Sequence, residues 1–162
     1  MRVSKNMFSF SSRKLAVIGL ALIFSLNVQA DQDLEFNQTI IPEGPPVARV
    51  LAGYMEIVNN TDSDITIIGA ESKLFNSIEF HDIIVEENVS MMEKIGNLVI
   101  PANGKVVLQR GGKHLMLFGP RERLKKGDKA TIIFFSNAGQ KFKVEFPVKE
   151  ATLEEDHSHH HH

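Results

Sequence analysis

The chain reads as an all-β protein, an antiparallel sandwich or barrel, on three observations. Short stretches of four to nine residues with β-branched and aromatic bias are separated by clusters of Gly, Pro, Asn and Asp, which supply turn dihedrals or side-chain-capped turns. Several stretches alternate apolar and polar residues with period two. No stretch keeps a long 3.6-residue period.

Taken in order, the first expected strand is 34–41, closed by Pro42-Glu43-Gly44-Pro45-Pro46. The second, 50–58, stops at Asn59-Asn60-Thr61-Asp62. The third, 64–70, carries Ile65, Ile67 and Ile68, the β-branched type that packs well on a pleated surface. The fourth is 77–85. Strands at 97–100 and 105–108 flank Pro101-Ala102-Asn103-Gly104. Arg110-Gly111-Gly112 breaks the chain before a strand at 113–117, and Lys126-Gly127-Asp128 precedes one at 129–135. The last, 141–146, reads Lys-Phe-Lys-Val-Glu-Phe, with apolar residues at every second place, so one face is buried and the other solvated. No internal repeat is visible.

The ends differ from this body. Arg2, Lys5, Arg13 and Lys14 precede an uncharged apolar run at 15–26, and Val28-Gln29-Ala30 forms a small-residue cleavage signal before Asp31. That order predicts a secretory signal peptide over 1–30, cut after Ala30. The apolar run is shorter than the roughly twenty residues a spanning helix needs, so no stable membrane anchor is expected after cleavage. Residues 31–149 then form one domain with a real core, and 150–162 form a polar, disordered acidic and His-rich tail. A run of four His can be a purification tag. The leader ahead of the domain and the Asp-His-Ser before the run favour a native tail.

Composition narrows the function. The 162 residues contain no Cys and carry a formal net charge of −2, with Lys and Arg scattered. Without a basic patch, nucleic acid is not an expected partner. Without Cys there are no disulfides, no thiolate metal ligands, no lipid attachment through a mature N-terminal Cys, and no blue-copper electron-transfer site. Two His outside the tail leave no Ser-His-Asp arrangement, and no paired carboxylates stand in a suggestive motif, so an enzyme is not expected.

One constellation stands out. Outside leader and tail there are two His and four Met; both His and two Met fall in one pattern, His81, ten residues, Met92, twenty-one residues, then His114-Leu115-Met116. Each Met taken alone is more often core packing, and a His after Ile78-Glu79-Phe80 is more often structural. Taken together, two imidazoles and two thioethers form a soft, neutral donor set that suits Cu(I), whereas Zn(II), Ca(II) and Mg(II) prefer imidazole, thiolate or oxygen. If the segment around His114 is extended, His114 and Met116 share a face, with His81 and Met92 supplied by a neighbouring hairpin. Met91, directly before Met92, competes for the same role. Only the His pair should make affinity pH-sensitive, with binding weakening below about pH 6.5. The tail residues His157, His159, His160, His161 and His162 form an imidazole cluster suited to Cu(II) as a secondary site.

These residues resemble the PCuAC-type periplasmic copper chaperones over roughly 33–148. The ligand spacing carries the resemblance, together with Ala52-Gly53-Tyr54-Met55 and the following Asn59-Asn60, Ile100-Pro101-Ala102-Asn103-Gly104, Gly111-Gly112-Lys113-His114-Leu115-Met116-Leu117 and Leu124-Lys125-Lys126-Gly127-Asp128. Two details depart from it: Phe118 stands where many members carry a further Met, and Met91 adds a thioether. The resemblance implies a cupredoxin-like Greek-key β-sandwich. It also implies a monomeric periplasmic carrier that delivers copper to an acceptor, a cytochrome c oxidase subunit or another assembly chaperone, as the oxidase copper centre is built. The competing reading is a non-metal binding or adhesion module in which the Met and His residues only pack.

Overall fold

A computed structural model describes residues 33–87 and 89–151. The expected leader and the His-rich tail from 152 onward lie outside the described residues.

The described chain is all strand and turn. Its ten strands are β1 (Leu34–Pro42), β2 (Val50–Asn59), β3 (Ile65–Glu71), β4 (Ser77–Glu86), β5 (Val89–Ile95), β6 (Leu98–Ile100), β7 (Lys105–Leu108), β8 (His114–Phe118), β9 (Lys129–Ser136) and β10 (Lys141–Lys149). Nine coincide with the expected stretches to within a few residues. β5 was not among them. Its residues are exposed except the partly covered Ile95, so no burial imposes alternation, and strand formation there rests on pairing with β4.

The hydrogen-bonded order is β5-β4-β8-β2-β1-β10-β9-β3-β6. It folds into two layers that meet at β1. Along most of its length β1 pairs antiparallel with β2. A bulge between Asn37 and Ile40 then shifts the register, with Gln38 at φ 52°. Beyond it Ile41 and Pro42 lie parallel to Val148 and Lys149 of β10. Bulges bend a strand and re-aim it, and here the bend hands β1 from one layer to the other. The Thr39 hydroxyl donates to the Glu145 carbonyl at 2.8 Å and holds the crossing. This parallel contact departs from the purely antiparallel expectation.

Between the layers, Phe36 of β1 stacks on Phe134 of β9 at 5.4 Å between ring centres. Phe80 of β4 and Phe146 of β10 approach the same ring at 6.3 Å. Leu34, Ile57, Ile67, Ile100, Leu115, Leu117 and Ile132 fill the space around them. With no disulfide available, this packing carries the stability.

β2 organises the first layer. Its last residues pair with β7, from Met55 opposite Leu108 to Val58 opposite Lys105. Its first residues pair with β8, from Val50 opposite Phe118 to Gly53 opposite Leu115. The chain leaves the sheet between them at Gln109–Lys113, where Gly111 takes φ 77° and the Gln109 amide donates to the Lys113 carbonyl at 2.6 Å. Gly53 permits the close approach of β8: a Cβ there would lie 3.2 Å from Leu115 Cδ1 and 3.3 Å from its Cβ. Met55 is in the core, 2% exposed, as a gap-filling thioether should be.

Candidate metal centre

Register decides which side chains meet, because neighbours across an antiparallel pair share a face and alternate residues along a strand do too. β4 lies between β5 and β8. On one side His81 sits opposite His114, and Glu79 opposite Met116. On the other, His81 sits opposite Lys94 and Ile83 opposite Met92. Glu79, His81 and Ile83 therefore share a face with Met92, Lys94, His114 and Met116, and all four residues singled out from the sequence project from one side of three adjacent strands. Met91 sits opposite Ile84 and takes the reverse face.

This face is the outer one, since Phe80, Leu115 and Leu117 between these residues point into the core. His114 is nonetheless only 6% exposed and the His81 side chain 13%. Their rings lie 6.1 Å apart, centre to centre, and Phe118, four residues beyond His114 on the same face, brings its ring to 6.3 Å from His81. Met92 stands at the rim, 55% exposed.

Each imidazole has one nitrogen held and one released. His114 Nδ1 lies 2.7 Å from the carbonyl oxygen of Gly112. A carbonyl only accepts, so Nδ1 carries the proton and Nε2 keeps the lone pair. The carbonyl comes from the glycine loop that separates β7 from β8. His81 Nε2 lies 2.9 Å from Glu79 Oε2, and its Nδ1 is the one buried side-chain nitrogen or oxygen without a hydrogen-bond partner among the described residues. Buried polar atoms are nearly always satisfied, and this nitrogen is free to take a ligand.

Glu79 and Lys94 were not foreseen from the sequence. Lys94 Nζ donates to Glu79 Oε1 at 2.7 Å. That bond, followed by the one to His81, holds the Glu79 carboxyl below its ordinary value. Glu79 stands two residues before His81 and Lys94 two after Met92, so the period-two rule applied to the ligand strands could have found both. A further ion pair, Lys113 with Asp82, continues the β4–β8 pairing one step past the two His.

Among the described residues no three His, Cys, Asp or Glu side chains cluster in metal-binding geometry. Beyond the two imidazoles, Met92 and Met116 are the soft donors that register places on this face. Two neutral imidazole nitrogens and two thioethers can hold a soft monovalent ion and leave a single positive charge, far cheaper to keep half-buried than a divalent one.

Comparison with known proteins agrees with this architecture. The family model "Putative lipoprotein LpqE-like" matches residues 28–148. Among related sequences, the "Putative lipoprotein Lxx21020" of Leifsonia xyli is 27% identical over 100 residues, 61% of this chain and 60% of that protein. The "Uncharacterized protein RP573" of Rickettsia prowazekii is 29% identical over 85 residues, 52% of this chain and 47% of that one. The chain thus spans about half the length of these relatives. Among solved structures, the copper-bound PCuAC domain from PmoF2 superposes with a TM-score of 0.63 at 18% identity, covering 74% of this chain and 94% of that domain, a likeness of fold. DR1885 from Deinococcus radiodurans superposes in its apo form with a TM-score of 0.58 at 25% identity, covering 93% and 97% of the two chains. Its Cu(I) form gives 0.58 at 29% identity, covering 77% and 83%.

Proposed function

The chain belongs to the LpqE-like family, of PCuAC type, and on that premise we propose that it is an exported copper(I) carrier that holds the ion through His81, Met92, His114 and Met116 and passes it to an acceptor protein. The observation that carries this reading is the pair of facing imidazoles, each with one nitrogen bonded to an oxygen and the other left with its lone pair. A purely structural His81 would bury no unpartnered nitrogen. The similar DR1885 has been solved with Cu(I), which supports the same cargo here.

Copper is the substrate in this scheme. The buried imidazoles supply the inner part of the site and Met116, half-buried on β8, closes it from the side. Met92, at the exposed rim on an edge strand, is the donor an incoming acceptor ligand displaces first. A site of four neutral donors without thiolate yields its ion to a Cys-containing acceptor by ligand exchange, because thiolate is the stronger soft donor. We assign the acceptor to assembly of the cytochrome c oxidase copper centre, either an oxidase subunit or a second assembly chaperone. The compartment is the periplasm, where the absence of thiols spares the site from disulfide formation. The His-rich tail serves as a separate Cu(II) site.

The test is titration of the mature protein, cut after residue 151, with Cu(I) against a competing chelator. One tight equivalent is expected. No uptake, with unchanged thermal stability, would leave a β-sandwich binding module whose Met and His residues only pack.

A further inference from the structure

The geometry points to Glu79 as the residue that commits His81 to bind the ion through Nδ1, so that the two imidazoles of the centre use different nitrogens, Nδ1 of His81 and Nε2 of His114. The inference rests on the copper(I) reading of this face and specifies how the face works.

The Glu79 carboxylate has both oxygens engaged. Oε1 accepts from the Lys94 ammonium at 2.7 Å and Oε2 lies 2.9 Å from His81 Nε2. A carboxylate held by an ammonium is ionised and can only accept, so in the neutral ring the proton sits on Nε2 and the lone pair on Nδ1. That lone pair is buried without a donor. Turning the ring over would break the Glu79 bond. His114 is fixed the opposite way, because the Gly112 carbonyl takes its Nδ1 proton. Imidazole–metal bonds of about 2 Å put two rings that share an ion about 6 Å apart or closer, centre to centre. The 6.1 Å separation found here is at that limit.

Glu79 is therefore a positioning residue and not a ligand. Its oxygens are occupied, and a hard carboxylate is a poor match for Cu(I). Lys94 has two effects. It occupies Oε1 and so leaves Oε2 for the imidazole, and it offsets the charge of the carboxylate. Register fixes the whole arrangement: His81 lies between His114 and Lys94 across the sheet, and Glu79 is one same-face step along β4. Ligating imidazoles ordinarily donate their second nitrogen to such a partner, which sets tautomer and orientation. Here the partner lies on the ligand's own strand, two residues away.

Long-range proton–nitrogen NMR of the full mature chain, labelled at His nitrogens, tests this before and after loading with Cu(I) under anaerobic conditions. The His81→Gln and His114→Gln variants assign the two rings. In the apo protein, His81 should carry its proton on Nε2 and His114 on Nδ1. On loading, the nitrogens that shift should be His81 Nδ1 and His114 Nε2. Glu79→Leu should let the His81 ring turn, so that Nε2 ligation appears, and should weaken Cu(I) binding ten- to a hundredfold. Glu79→Gln, whose amide oxygen still accepts from Nε2, should keep Nδ1 ligation. Binding of Cu(I) through His81 Nε2 in the wild-type protein overturns the inference, and so does a Glu79→Leu protein that keeps Nδ1 ligation with affinity within twofold. These outcomes leave the copper reading standing. A titration in which neither ring's nitrogens move removes the copper reading, and the inference falls with it. The wild-type spectra alone decide the ligating nitrogen if Glu79→Leu does not fold.

Discussion

Replacing Asn59 with Ala should destabilise the domain by about 3 kcal/mol without touching the metal centre. Asn59 ends β2 and is 1% exposed. Its Nδ2 donates to the Ser63 carbonyl at 2.8 Å and to the Ile100 carbonyl at 3.1 Å. Its Oδ1 accepts from the Thr61 amide at 3.0 Å and the Thr61 hydroxyl at 2.7 Å. One side chain thus ties the end of β2 to the turn after it and to β6 in the other layer. At about 1 kcal/mol net per bond the four come to about 4 kcal/mol. The Thr61 and Ser63 groups lie near solvent and can rehydrate, which lowers that sum. The Ile100 carbonyl is in the buried contact and bears the desolvation penalty of about 1–3 kcal/mol when orphaned. About 3 kcal/mol is the balance. For a domain of this size each kcal/mol moves Tm by about 3–5 °C, so melting should fall by about 10–15 °C. Asn59→Asp keeps the acceptor for Thr61 but points a carboxylate at two carbonyls, and should destabilise at least as much. Calorimetry and urea unfolding measure both variants. An Ala variant melting within about 3 °C of wild type would refute the idea that this buried polar knot joins the layers.

Four further outcomes are expected. Met92→Leu should weaken Cu(I) binding tenfold or more, at least about 1.4 kcal/mol, while Met91→Leu stays within twofold, because register puts Met91 on the reverse face; chelator competition that ranks them the other way reassigns the ligand. Gly53→Ala should cost about 1–3 kcal/mol, since the new methyl presses on fully buried Leu115, and should also weaken Cu(I) binding at the site proposed on β8; a urea midpoint equal to wild type would contradict the close approach. The folded-state value of Glu79 is lowered, so the stability it contributes is present above its ordinary carboxylate value and disappears as pH falls through the depressed one; melting curves of apo wild type and Glu79→Gln should differ at neutral pH and converge in acid, and a constant gap down to pH 2 would count against the ion pair. Removing residues from Asp156 onward should abolish Cu(II) binding and leave the Cu(I) equivalent and Tm unchanged, checked by calorimetric titration with each ion; a tenfold loss of Cu(I) affinity would place a core ligand in the tail.

The sequence by itself determined the strands that face the core, because burial on one side forces alternation: β2, β9 and β10 show buried residues at every second position, where the apolar residues recur. It also restricted the donors that a metal centre could use, since His and Met are scarce and Cys is absent. Only the tertiary structure decided the rest. β5 has no buried face and so leaves no periodic trace; it is a strand because β4 offers it hydrogen bonds. The passage of β1 between layers depends on one bulge at Gln38, a local backbone event without a composition signature. That Met92 and not Met91 shares the face of the two His is a matter of register, and register belongs to a pair of strands, not to either alone. Glu79 and the Gly112 carbonyl each lie two residues from the imidazole they hold, but which nitrogen they hold depends on contacts over about 3 Å that spacing alone does not give. Lys94 reaches the Glu79 carboxylate only because β5 lies beside β4 in this register.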